Sequence, residues 1–282
     1  MRHAVHRPIQ VVAHRGASED APEHTLAAYR KAIEDGADAL ECDVRLTADG
    51  HLVCVHDRRV NRTSNGRGAV SALELAELAA LDFGSWKARG SAASGAGEWE
   101  EVPERDDTGA DGSATSVLTL ERLLGLVTEA ADGGRPVGLA IETKHPTRWA
   151  GQVEERLLAL LRRYGLDAPR PGGARVRVMS FSARSLQRVR AAAPELPTVY
   201  LMQFVSPRHR EGRLPGGVGI AGPSLRIVRG RPGYVEKLRA AGHEVHVWTV
   251  NEPDDVDLCV SLGVDAIITN RPRQVLDRLG RG

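Results

Sequence analysis

The sequence predicts an α/β protein of the TIM-type (β/α)8 barrel class, with an antiparallel hairpin after the second strand and an irregular insertion near residues 84–116. Three observations carry that expectation. Short apolar runs alternate with amphipathic stretches along the chain, which implies a mainly parallel sheet with helices outside. The 282 residues suit a barrel, which commonly occupies about 250 residues as one unit. No Gly-x-Gly-x-x-Gly turn follows the first strand, the feature that would favour a doubly wound open sheet.

The elements follow in order. The β-branched run at 9–13 is the first strand, and a helical pattern spans 25–34. Strands at 39–44 and 52–55 come next, joined through Thr47-Ala48-Asp49-Gly50. A parallel crossover needs about a dozen residues, so this short link must be an antiparallel hairpin. With Thr47 facing Gly50, Glu41 should face His56. Residues 84–116 are rich in Gly, Ser, Ala and acids with little periodicity, so they are expected to be a mobile surface insertion and not a second domain. Helical patterns at 120–131, 152–164, 183–193, 232–240 and 253–262 then alternate with strands at 137–141, 176–179, 198–201, 218–221, 244–247 and 266–268. The patch at 168–173 reads as an ordinary turn. Nine strands compete for eight barrel places, and the hairpin accounts for the surplus. Residues 1–282 are expected to form a single domain.

Composition narrows the function classes. Lys plus Arg (38) nearly cancels Asp plus Glu (37), which leaves no basic footprint for nucleic acid. The three cysteines, Cys42, Cys54 and Cys259, cannot frame a disulfide scaffold and fit a reducing compartment. The N-terminal residues hold no apolar stretch long enough for a secretory signal, and no segment approaches the ~18 apolar residues of a membrane span. A cytoplasmic location is the expectation.

Chemistry concentrates at strand ends, the face where barrels carry their active sites. His14-Arg15-Gly16 follows the first strand: a proton carrier, a phosphate-matching fork and a sharp turn. Glu41 and Asp43 alternate onto one face of the second strand, with Cys42 on the other. Two carboxylates among Ala39, Leu40 and Val44 repel unless a cation or proton intervenes, and hard cations such as Mg2+ and Ca2+ prefer oxygen ligands. His56-Asp57 closes the hairpin. Glu142 and Lys144 add a third carboxylate and a point charge for phosphate. Trp248 ends a later strand and reads equally well as an aromatic wall for substrate or as a core residue.

These blocks resemble the signature of the glycerophosphodiester phosphodiesterase family. The likeness rests on His14-Arg15-Gly16, Ala21-Pro22-Glu23-His24-Thr25, Gly36-Ala37-Asp38, Glu41-Cys42-Asp43-Val44, Thr47-Ala48-Asp49-Gly50, Val55-His56-Asp57 and Arg62-Thr63. It continues through Leu118-Thr119-Leu120-Glu121, Ile141-Glu142-Thr143-Lys144, Trp248-Thr249-Val250-Asn251 and residues 263–270. The resemblance implies a barrel that hydrolyses glycerophosphodiesters to glycerol 3-phosphate and an alcohol. It implies one divalent cation, Mg2+ or Ca2+, held by Glu41, Asp43 and Glu142. His14 and His56 take the acid/base roles, Arg15 and Lys144 match phosphate-holding positions, and Trp248 matches an aromatic near the glycerol. The family usually has Asn where this chain has His24, at the first turn of the following helix, so local hydrogen bonding there should differ. A lysophospholipase D on the same site and a non-catalytic phosphodiester-binding barrel are the alternatives. A zinc amidohydrolase would want His-x-His after the first strand. The expected partner is a small-molecule glycerophosphodiester; the oligomeric state is left open.

Overall fold

The computed structural model describes residues 8–92, 115–144, 151–169 and 173–282. Strand β1 is Gln10–His14, helix α1 Leu26–Glu34, β2 Ala39–Leu46 and β3 Leu52–Cys54; the short helices α2 (Leu75–Ala79) and α3 (Ser85–Ala92) follow. Next come α4 (Leu120–Asp132), β4 (Gly138–Thr143), α5 (Gln152–Arg163), β5 (Val176–Ser180), α6 (Ala183–Ala192), β6 (Thr198–Met202) and β7 (Ile220–Pro223). The chain ends with α7 (Leu225–Gly230), α8 (Gly233–Ala240), β8 (Glu244–Val247), α9 (Pro253–Ser261), β9 (Ala266–Thr269) and α10 (Pro272–Arg278).

The sheet order is β1-β9-β8-β7-β6-β5-β4-β2-β3, and β1 also pairs with β2. That pairing closes the eight parallel strands into a TIM-type barrel with helices outside. Alternation sorts the side chains. Cys42, Val44 and Leu46 join the large core beneath the helices with Leu123, Leu157 and Leu186. The opposite parity fills the barrel interior with Val12, Ala39, Ala140, Met179, Val199, Leu201, Ile220, Ala266 and Ile268. This apolar layer is the floor on which the site stands.

β3 is antiparallel to β2, as the short link requires, but the register is one residue from the expected one. Val44 pairs with Cys54 and Leu46 with Leu52, so the line through Glu41 runs to Asp57, not His56. The turn is longer than a two-residue turn: the Thr47 amide donates to the His51 carbonyl at 2.9 Å, and Gly50 takes φ +87°. A one-residue slip reverses faces along a continuous strand. β3 ends at Cys54, however, and the chain beyond it is free to bring His56 round by another path.

The insertion is not irregular throughout. Asp82 Oδ1 accepts from the Gly84 and Ser85 amides at 2.8 and 3.2 Å, which stabilises the start of α3 by satisfying donors that a helix N-terminus leaves unpaired. Lys87 of α3 donates to the Ser18 and Ala21 carbonyls, pinning the helix to the loop after β1. Residues 93–114 and 170–172, the remainder of the two patches expected to be irregular, lie outside the described residues. Among the described residues no helix is long and apolar enough to cross a membrane.

Candidate active site

Glu41 and Asp43 reach the barrel mouth from β2, and Glu142 from β4. The register pairs Asp43 with Glu142, so adjacent strands deliver the two carboxylates side by side. One oxygen from each of the three acids lies within 4.8 Å of the others. All three are buried, Glu41 at 2%, Asp43 at 1% and Glu142 at 7% exposure.

Such crowding sets their protonation apart. Burial and the neighbouring Asp43 push Glu41 well above the carboxylate range. The same two causes raise Glu142 to about 8. Burial also opposes ionisation of Asp43, yet a hydrogen bond from His24 and the charges of Lys144 and Arg15 hold it well below the usual range. Lys144 Nζ lies 3.1 Å from Asp43 Oδ1 and 2.7 Å from Glu142 Oε1. Two cations therefore answer three acids, and the surplus appears as raised carboxyl pKa values. An all-oxygen donor set this close and this dry fits a hard divalent cation. Among the described residues this is the group of three that could hold one.

The loop after β1 wraps the cluster. Arg15 sits at φ +57°, sparsely populated for a residue with a side chain. The position is held because the Arg15 amide donates to Glu41 Oε2 at 2.9 Å, and its guanidinium pairs with Asp43 and Glu23 at 3.2 and 3.0 Å. Gly16, at φ +84°, packs against α1 so closely that a Cβ there would lie 2.6 Å from the Ala28 carbonyl carbon.

His24 does not begin the helix. It precedes the N-cap Thr25 in a left-handed conformation, φ +60°. Its ring is buried between Asp43 Oδ2, 3.0 Å from Nε2, and Tyr29 Oη, 2.8 Å from Nδ1. Tyr29 Oη in turn donates to the Glu41 carbonyl at 3.0 Å. The Asp43 carboxylate accepts from Nε2, so His24 stands behind Asp43 rather than among the three acids and links that carboxylate to the Tyr29 phenol.

The two other histidines are each oriented through Nδ1. His14 Nδ1 lies 2.7 Å from Asn270 Oδ1, so it donates and leaves Nε2 with a lone pair. Burial, aided by Arg15, lowers His14 to about 3, which keeps it neutral at pH 7. His56 Nδ1 lies 2.7 Å from Asp57 Oδ1, and its backbone carbonyl accepts from Arg45 at 3.0 and 2.5 Å. Burial lowers its pKa too, while Asp43 and Asp57 oppose that shift. The residue thus senses Asp43, Lys144 and Arg15 although the hairpin register differs from the expected one.

A chain of charges supports this arrangement. Arg62 donates to Asp57 at 2.7 Å and to both oxygens of Glu23 at 2.8 and 2.7 Å, and Glu23 also holds Arg15. Trp248 packs on the apolar layer of the barrel, its Nε1 donating to the Gly222 carbonyl at 2.7 Å. Phe181 meets it edge-on, ring centroids 5.5 Å apart, and lies 6.0 Å from Lys144 Nζ. Sequence reasoning did not assign roles to Asn270, Asp57, Tyr29, Arg62 or Phe181. Asn270, Asp57 and Arg62 stand inside the motif blocks, but their partners are set only by the fold.

A family model, the glycerophosphoryl diester phosphodiesterase family, matches residues 14–274. The chain belongs to this family. It is an enzyme, a phosphoric diester hydrolase of the glycerophosphodiester phosphodiesterase family. The "Probable glycerophosphodiester phosphodiesterase 1" of Mycobacterium tuberculosis is 47% identical over 93% of this chain and 89% of its own. A glycerophosphodiester phosphodiesterase of Bacillus subtilis is 34% identical over 94% and 84%. Among solved structures, an Oleispira antarctica phosphodiesterase in complex with the product sn-glycerol-3-phosphate has 25% identity and a TM-score of 0.78, covering 96% of each chain.

Proposed function

We propose that this enzyme hydrolyses glycerophosphodiesters to glycerol 3-phosphate and an alcohol, with one divalent cation, Mg2+ or Ca2+, held by Glu41, Asp43 and Glu142. The observation that carries the reading is the buried cluster of three acids at the C-terminal end of the barrel strands, flanked by two histidines whose Nδ1 atoms are already engaged. The glycerophosphodiester phosphodiesterase name of the relatives and the glycerol phosphate product in the Oleispira antarctica structure support the substrate class.

Glu41, Asp43 and Glu142 would hold the cation, which would supply Lewis-acid stabilisation of the charge that grows on the phosphoryl oxygens. Arg15 and Lys144 add preorganised positive charge on the same oxygens. His14, neutral and with Nε2 free, takes the proton from the nucleophile. His56, whose protonated form Asp57 favours, gives a proton to the leaving alkoxide. Trp248 and Phe181 wall the organic end of the substrate, and residues 1–282 act as one catalytic unit.

A panel of glycerophosphodiesters with product detection tests this. His14→Ala and His56→Ala should each lower kcat by roughly 10²–10⁴-fold, with far-UV circular dichroism unchanged. Near wild-type turnover in either variant would refute the assignment. Phe181, 42% exposed beside Lys144, favours one second reading: a lysophospholipid whose acyl chain lies along that ring. Lysophospholipids in the same panel separate the two.

A further inference from the structure

The opposite end of the barrel carries a buried cation that the reaction does not use. β5 projects Arg177 inward, on the parity of Met179 and below the apolar layer. Arg177 is 6% exposed. Its Nη1 donates to Gln10 Oε1 at 3.0 Å, but Nε and Nη2 have no acceptor among the described residues. Those two N–H groups form one edge of the guanidinium. Elsewhere in this chain the same edge takes a carboxylate: Arg229 grips Asp255 at 2.6 and 2.5 Å, and Arg278 grips Asp257 likewise.

The acids around Arg177 are engaged. Asp38 accepts from the Val11 amide at 2.7 Å and from two Arg281 nitrogens at 3.0 and 2.6 Å. Asp265 accepts from the Val245 amide at 2.8 Å, and Glu244 faces His246 Nε2 at 3.6 Å. A buried guanidinium with N–H groups left unpaired is costly, and arginine does not shed its proton near neutral pH. Burial lowers Arg177 only to about 10, with Glu244 and Asp38 opposing. A second buried polar atom, His246 Nδ1, also has no partner among the described residues. Its Nε2 faces Glu244 at 3.6 Å, so a neutral ring that keeps its proton on that side presents Nδ1 as an acceptor.

Both residues line a cavity of about 730 Å³ that Gln10, Asp38, Arg175 and Arg281 share. It opens at the N-terminal ends of the strands, with the apolar layer between it and the carboxylate cluster. We propose that this cavity is a second ligand site taking a phosphate-class oxyanion, inorganic phosphate or a phosphate monoester, on the Nε–Nη2 edge of Arg177. Two acceptor oxygens match that fork, and a protonated phosphate oxygen can donate to His246 Nδ1, which a plain carboxylate cannot. Arg281, 32% exposed and held by Asp38, lines the same cavity. The proposal stands apart from the assignment of the catalytic site.

Calorimetric titration of the full chain with inorganic phosphate, and separately with sn-glycerol 3-phosphate, at constant ionic strength tests it. Wild type should bind one ligand more per chain than Arg177→Met. Arg177→Lys keeps the charge but not the fork, and should weaken the extra event by roughly ten-fold or more. Lys144→Met, altered only at the other face, should retain it, so loss of catalytic-site binding stays distinguishable. Response to inorganic phosphate alone assigns the free ion; response to both assigns the monoester as well. In phosphate-free buffer Arg177→Met should melt above wild type, and added phosphate should narrow that gap. Equal stoichiometry and affinity in wild type and both Arg177 variants, with a gap insensitive to phosphate, would overturn the site and leave Arg177 solvated by water only.

Discussion

Glu142 shows how a single residue couples the fold to the chemistry. Its carboxyl is raised to about 8, first by burial and then by Asp43, so at pH 7 a proton competes with a cation for it. Cation binding must release that proton. The sign follows: affinity for Mg2+ should rise with pH through about 8, by up to about ten-fold per unit for the Glu142 proton alone and more steeply where Glu41, also raised, carries one too. Titrations from about pH 6 to about pH 9 would show this, with proton release read from buffers of different ionisation enthalpy. A flat affinity across that range contradicts the raised pKa. The acids, His14, Arg15, His56 and Lys144 were legible in the sequence because their types and strand-end spacing carry chemical meaning. Asn270 and Arg62 were not, because each acts through a partner distant in sequence: Asn270 meets His14 across 256 positions and Arg62 meets Glu23 across 39.

Among the elements, the loop from β1 to α1 is closely constrained. Its left-handed Arg15 and Gly16 place an amide on Glu41 while the chain passes against α1. Gly16→Ala adds a Cβ 2.6 Å from backbone atoms of Ala28, which cannot retreat as a side chain tip could. The variant should lose on the order of 2 kcal/mol or more and lower kcat together with stability, because Arg15 moves with the loop. Urea unfolding and steady-state kinetics on the same preparation check this; wild-type values for both would contradict the close packing. The strands were readable because β-branched apolar runs report burial directly. The hairpin register was not, since one extra turn residue ending in Gly50 shifts every pair. The short helices α2, α3, α7 and α10 also passed unread, as five to eight residues hold too few turns to show a period.

For the whole molecule, the Arg15–Glu23–Arg62–Asp57–His56 chain ties the loop after β1 to the segment after the hairpin. Burial disfavours ionised Glu23, yet Arg62 and Arg15 hold it at about 2; Arg62 first, then His56, holds Asp57 at about 2. Both folded values lie below the ordinary ones, so the stabilisation is complete above about pH 4.5 and fades as pH falls towards 2. Arg62→Gln should therefore melt below wild type at pH 7, by on the order of 1 kcal/mol after solvent screening, and the difference should shrink by about pH 3. A difference independent of pH would remove the ionic account. Turnover should depend on a divalent cation held where the paired strands β2 and β4 bring Glu41, Asp43 and Glu142 together. Glycerophosphodiester hydrolysis by enzyme stripped with chelator and dialysed, before and after adding Mg2+ or Ca2+, tests it most directly. Activity should be lost on stripping and return with either ion in wild type but not in Glu142→Gln; undiminished hydrolysis by the rigorously metal-free chain would contradict it.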